Sequence, residues 1–166
     1  MHKFICISGC TASGKSSFAM ELSDYFESPV IINADALQVY DCWKILTDRP
    51  TEKKTMHDLY GHVSCHVNYS VGDWIKDVKN IFDLYSKNSK TFIFVGGTGL
   101  YFNALLNGLS QIPQIPEEIR DFANSCDVSF FLKALKINDP DILEKIDIKN
   151  RQRVQRAWEV LEATGK

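Results

Sequence analysis

Residues Gly9-Cys10-Thr11-Ala12-Ser13-Gly14-Lys15-Ser16 carry the spacing G-x-x-x-x-G-K-[ST], and the chemistry of that spacing is phosphate binding. Glycines at 9 and 14 let the backbone turn tightly and aim several N–H groups at phosphate oxygens. Lys15 can reach the terminal phosphates, and the Ser16 hydroxyl can hold Mg²⁺. Asp35 is the second candidate, a carboxylate just past the apolar run Val30-Ile31-Ile32. It could ligate Mg²⁺, remove a proton from an acceptor, or merely cap the turn that follows. Gln38 suits an adenine edge, and Tyr40 could stack or pack. Phe92-Ile93-Phe94-Val95 runs into Gly96-Gly97-Thr98-Gly99, where a typical NTPase would place a metal-binding Asp. Two glycines there admit something bulky close to the backbone. A motor or switch ATPase is thereby disfavoured, leaving small-molecule kinases and other group transferases.

These residues need a frame. Apolar runs predict strands at Lys3–Ser8, Val30–Asn33 and Thr91–Val95, and helical spacing predicts helices at Lys15–Glu27, Val71–Ser86 and Gly99–Leu106. The strands are continuous apolar runs, as expected when helices cover both faces. The expected fold is therefore α/β: a P-loop NTPase-like parallel sheet flanked by helices, with a helical inserted segment. Residues 1–108 read as the P-loop core and 109–149 as a mostly helical insertion. Residues 150–166 read as a basic helix beyond which the core continuation is missing, so an incomplete chain is expected. Phe130–Leu135 reads as helix. Asp139-Pro140 opens another helix, and Asn150–Ala163 forms a third, with Val154, Ala157, Trp158 and Leu161 on one face.

With 166 residues, 45% hydrophobic, 24% charged and a net charge of −2, the chain has ordinary globular composition without a uniformly basic surface. A nucleic-acid site must then be local. Lys145, Lys149 and Arg151 make such a patch, and Arg153 and Arg156, three apart, could clamp phosphates, although such a face is often only solvated. Five scattered cysteines without a C-x-x-C pair predict reduced thiols and a cytoplasmic protein. No leader or membrane span is expected. His57, His62, Cys65 and His66 offer metal-ligand types at a spacing that matches no common zinc pattern, so ordinary loop and core roles are expected.

Three motifs taken in order, G-C-T-A-S-G-K-S, D-A-L-Q-V-Y at Asp35–Tyr40 and V-G-G-T-G-L-Y-F at Val95–Phe102, resemble bacterial tRNA dimethylallyltransferases. So do Leu59-Tyr60-Gly61-His62-Val63, Tyr69-Ser70-Val71-Gly72 and Arg151–Ala157. The resemblance implies transfer of a dimethylallyl group from dimethylallyl diphosphate to N6 of the adenosine beside the tRNA anticodon, position 37. It implies that Gly9, Cys10, Thr11, Ala12, Ser13, Gly14, Lys15 and Ser16 cradle the donor diphosphate with Mg²⁺ on Ser16. Asp35 would be the general base, with Thr11 and Lys15 as its catalytic partners. Asp35, Ala36, Leu37, Gln38, Thr98, Arg120, Gln152, Arg153, Val154, Gln155 and Arg156 would meet tRNA. The family usually has proline at Cys10 and serine at Ala36; the second change removes a possible RNA hydrogen bond. A monomer is expected. Two other readings stay open: an ATP-using small-molecule kinase, and an inactive fragment that binds nucleotide or diphosphate.

Overall fold

The computed structural model describes residues 2–47, 49–50, 55–110 and 112–165. They form two compact units, Met1–Leu109 and Ser110–Lys166. In the first, the order is β1 (Lys3–Ser8), α1 (Lys15–Ser23), β2 (Pro29–Asn33), β3 (Met56–Asp58), α2 (Val71–Leu84), β4 (Thr91–Gly96) and α3 (Gly99–Asn107). The strands make one parallel sheet in the order β1-β4-β2-β3. All three predicted strands and all three predicted helices are present; α1 and α2 stop earlier than expected.

Period-two alternation explains the layering. Val30, Ile32, Phe92 and Phe94 face Trp74, Val78 and Ile81 of α2 and Tyr101 and Phe102 of α3. Ile31, Ile93 and Val95 face Ala19 of α1 on the other side. Strands β2 and β4 are buried on both faces, as continuous apolar runs require. Strand β1 departs from that expectation: it lies at one side of the sheet and Lys3, Phe4, Cys6 and Ser8 are exposed.

Helix α2 begins with a capping box. Ser70 Oγ accepts from Asp73 N at 3.2 Å, and Ser70 N donates to Asp73 Oδ2 at 3.1 Å. Its Trp74 is fully buried, stacks on Tyr101 at 4.5 Å between ring centres, and donates from Nε1 to the Asn33 carbonyl at 2.8 Å. The helix thereby locks onto the end of β2.

The second unit contains α4 (Glu117–Ser125), α5 (Val128–Asn138), α6 (Pro140–Lys145) and α7 (Arg151–Thr164). Pro140 opens α6 at its first turn, as predicted, although the Asp139 side chain makes no cap hydrogen bond. Asn150 caps α7 through Arg153 N, and Gly165 ends it in the left-handed conformation. Ala123, Phe131, Leu135, Val154 and Trp158 form the core of this unit, so α7 packs with α4 and α5.

Candidate functional site: a phosphate cradle at the strand ends

Because the sheet is parallel, chain connections leave three strands along one edge. The register pairs Ser8 with Gly96 and Asn33 with Val95. The segments starting at Gly9, Ala34 and Gly97 therefore emerge side by side, at the carboxyl ends where open α/β sheets bind ligands.

The first segment is the phosphate loop. Ala12 and Gly14 have positive φ (60° and 79°), which curls the loop around its own N–H groups. Gly14 is also the N-cap of α1 and supplies no side-chain partner. The leading N–H groups of α1 therefore face the loop, where the helix dipole favours an anion. Lys15 Nζ donates to the Cys10 carbonyl, which places the ammonium across the loop. Thr11, Ala12, Ser13, Gly14, Lys15 and Ser16 all line a cavity of about 550 Å³, together with Asp35, Leu37 and Gln38. Gly9 and Cys10 shape the loop without lining that cavity.

The second segment is positioned by a residue that motif reasoning missed. Asn33 is fully buried, and its side chain clamps the main chain of Asp35 from both sides. Asn33 Oδ1 accepts from Asp35 N at 3.0 Å, while Nδ2 donates to Asp35 O at 2.9 Å and to Leu59 O at 3.0 Å. Leu59 supplies that carbonyl from a left-handed conformation, φ 62°. Asp35 itself fills one of the roles considered for it, the cap. Its Oδ1 caps the turn, accepting from Leu37 N at 2.9 Å and Gln38 N at 3.4 Å. Its Oδ2 lies on the Gly97 side, and the residue lines the cavity. The Asp35 charge, after burial, also helps push the Tyr60 phenol well above its ordinary range.

In the third segment, the close approach expected at the paired glycines is made by the protein itself. A Cβ on Gly96 would lie 2.0 Å from the Ala34 carbonyl oxygen, so β2 and β4 can converge here only around glycine. Thr98 Oγ1 accepts from Ala36 N at 2.9 Å, tying the third segment to the second.

Three sequence expectations are corrected. Gln38 Nε2 donates to Thr47 O at 2.7 Å; its amide closes the loop after Tyr40 instead of presenting a free edge. Tyr40 takes the packing role left open for it, on the core and on Trp43. Val154, expected at an RNA surface, is fully buried in the helical core and can only pack. Cys42 and Cys65 form a disulfide, whereas reduced thiols were expected throughout; Cys6, Cys10 and Cys126 are free. The loop between them brings Trp43, Leu46 and Thr47 into the cavity lining, a contribution that no motif announces. Arg49 holds this loop by donating to the Tyr40 carbonyl at 3.1 Å. Its guanidinium lies against Gly61, whose φ of 58° is the left-handed conformation that favours glycine in Leu-Tyr-Gly-His-Val.

The remaining candidates lie in the second unit. Arg120, Gln152 and Arg153 are exposed. Arg156 pairs with the buried Glu159 at 3.4 Å, and Gln155 bonds Asn124 and Glu159 at 3.1 and 2.9 Å. Arg151 reaches the carbonyls of Ala123 and Cys126. The free basic face is thus narrower than the sequence suggests, because two of its arginines are engaged internally. The histidines do not converge either. His57 contacts Thr55 O, and His62 bonds Tyr69 and Asp77.

A parallel α/β sheet whose first strand feeds a glycine-rich loop, with a carboxylate from the next strand in the same cavity, is a P-loop NTPase-like architecture. The IPP transferase family model matches residues 38–166, and the chain belongs to that family. It is 46% identical to a tRNA dimethylallyltransferase of Ruegeria sp. (strain TM1040), over 98% of this chain and 54% of the relative. It is 47% identical to one of Roseobacter denitrificans, over 99% of this chain and 57% of the relative. Among solved structures it resembles a eukaryotic dimethylallyltransferase acting on tRNA, with TM-score 0.80, 28% identity and coverage of 100% and 43%. It also resembles the full-length tRNA isopentenylpyrophosphate transferase of Bacillus halodurans, with TM-score 0.60, 29% identity and coverage of 100% and 57%. The chain spans about half the length of the curated relatives it matches.

Proposed function

We propose that this chain carries the donor site and base of a tRNA prenyltransferase. The reaction is transfer of a dimethylallyl group from dimethylallyl diphosphate to N6 of the adenosine beside the anticodon, position 37. The observation that carries the reading is the shared cavity, in which the phosphate loop and Asp35 stand together. Family membership favours this acceptor and donor over the kinase reading.

In the proposed step the bond from the allylic carbon to the diphosphate oxygen breaks and a bond from that carbon to N6 forms. The departing diphosphate takes the negative charge, and the loop N–H groups with Lys15 stabilise it. Asp35 Oδ2 accepts the N6 proton; the two N–H bonds on Oδ1 fix the orientation of the carboxylate for that task. Thr11 lies beside the donor. The N6 amine is a weak nucleophile because it is conjugated to the purine, so orientation and proton removal both count. Ser16 and Asp35 offer the hard oxygen donors that suit Mg²⁺; Ser16 would hold the ion, which supplies charge neutralisation for the leaving group.

The first unit supplies Ala36, Leu37, Gln38 and Thr98 near the acceptor. Arg120, Gln152 and Arg153 would meet the RNA backbone, with Gln155 and Arg156 joining only if their internal bonds open. A cytoplasmic monomer fits this reading, and no helix among the described residues is long and apolar enough to cross a membrane. The test is incubation of the chain with Mg²⁺, labelled dimethylallyl diphosphate and unmodified tRNA. Label entering the RNA is expected. Label absent from RNA while ATP is consumed with a small acceptor would sink the proposal in favour of a kinase.

A further inference from the structure

The cavity has two chemical characters. The phosphate loop supplies charge and main-chain donors, while Leu37, Trp43, Leu46 and Val95 supply hydrocarbon. Of those four, Val95 belongs to the buried sheet and Leu37 and Leu46 are 52% and 82% exposed, so neither leucine is held firmly. Trp43 is different. Its carbonyl accepts from Thr47 N at 3.1 Å and from Thr47 Oγ1 at 2.6 Å. Its ring lies 5.6 Å from that of Tyr40, which rests on the core. The preceding residue, Cys42, is bonded to Cys65, and Gln38 and Arg49 tie the same loop down from either side. The main chain beneath the indole is thereby fixed and Tyr40 backs its ring. The indole, although 40% exposed, is thus the best-supported side chain this loop gives the cavity, and a supported wall discriminates by size.

Resting on the donor reading above, we propose that Trp43 is the specificity-determining residue for the prenyl chain, admitting a five-carbon tail and turning away a ten-carbon one. With the diphosphate seated on the phosphate loop, the tail extends toward the apolar lining. A second isoprene unit must then displace the indole or remain in water. Truncating the indole opens that space, while the flexible, exposed leucines give way in either case. Differences of this kind, a few carbons at one pocket wall, are worth about 10- to 200-fold.

The test is calorimetric titration of the 166-residue chain with Mg²⁺ and three ligands: inorganic diphosphate and the non-reacting thiolodiphosphates of dimethylallyl and geranyl alcohol. The readout is the ratio of the two prenyl dissociation constants within each variant, in wild type, W43A, W43L and I45A. Ile45 is 95% exposed and outside the cavity lining. The ratio should move toward the geranyl ligand by about ten-fold in W43A, in the same direction in W43L, and not in I45A. W43L keeps an apolar filler, so it still reports if W43A fails to fold. A movement under three-fold in both Trp43 variants, or an equal movement in I45A, overturns the proposal. If inorganic diphosphate binds as tightly as both prenyl ligands, the tail wall is wrong and the phosphate site stands. If inorganic diphosphate does not bind, the donor reading itself falls and takes this inference with it.

Discussion

Replacing Asn33 by alanine removes three hydrogen bonds at once and leaves Asp35 N, Asp35 O and Leu59 O without their partner in a partly buried setting. Each such bond is worth about 1 kcal/mol net, and a stranded buried partner raises the loss. The expected cost is therefore about 3–5 kcal/mol. For a chain of this length that is a fall in Tm of about 6–20 °C, at about 2–4 °C per kcal/mol. Replacing Asn33 by aspartate sharpens the test because the shape is unchanged. The carboxylate still accepts from Asp35 N, yet it turns an oxygen instead of a donor toward two carbonyls. The ionised form is thus disfavoured in the fold and its pKa rises. By linkage, stability of N33D is fullest below the unfolded carboxyl pKa and is lost as pH rises through the folded value. At neutral pH N33D should be at least as unstable as N33A, and it should recover toward pH 4 while N33A does not. Urea unfolding followed by circular dichroism at both pH values reads this directly. A cost under 1 kcal/mol for N33A, or parallel pH behaviour of the two variants, would refute the role given to this side chain.

S70A removes the cap of α2 and should cost about 1 kcal/mol, measurable as a drop of about 3 °C in Tm; an unchanged melt would show the capping box to be idle. Breaking the 23-residue cross-link with C65S should lower stability by about 3 kcal/mol without reductant. The difference should vanish when wild type is reduced, and a penalty that ignores reductant would contradict the cross-link as its cause. Burial first, then the charges of nearby groups, pushes the Tyr101 phenol up to about 12, so its neutral form is favoured in the fold. That contribution is complete below pH 10 and is lost between about pH 10 and 12. Urea midpoints should begin to fall near pH 10, and a flat profile to pH 11.5 would show that Tyr101 is not held neutral by the fold.

Much of the frame could be read from the chain because its signals are local. The phosphate loop is contiguous, and β2 and β4 announce themselves as apolar runs long enough to be buried on both faces. The helix opening near Asn150 and the Pro140 start need only a few neighbouring residues. What escaped depends on distance in sequence. Strand β3 is three residues, Met56–Asp58, without an apolar pattern, and it exists because β2 offers it an edge. Asn33 looks like a strand-ending polar residue until Leu59 is brought opposite it. Val154 is legible by contrast: the helical period already sets it on the apolar face with Trp158, and only the resemblance places it at RNA. The pairing of Cys42 with Cys65 and the place of Trp43 in the cavity depend on a loop whose path no periodicity specifies.

Strand β1 has a consequence for how this chain behaves in concentrated solution. It pairs with β4 on one side, and its other side meets no strand among the described residues. That side offers a row of main-chain donors and acceptors, with Phe4 exposed and the free thiol of Cys6 alongside. Colloidally, such an edge is adhesive: a second copy of the 166-residue chain can extend the sheet there. Two Cys6 thiols brought together in air would then lock the contact covalently. Storage under reductant, or a lysine at position 6 to charge the edge, should keep the preparation monodisperse.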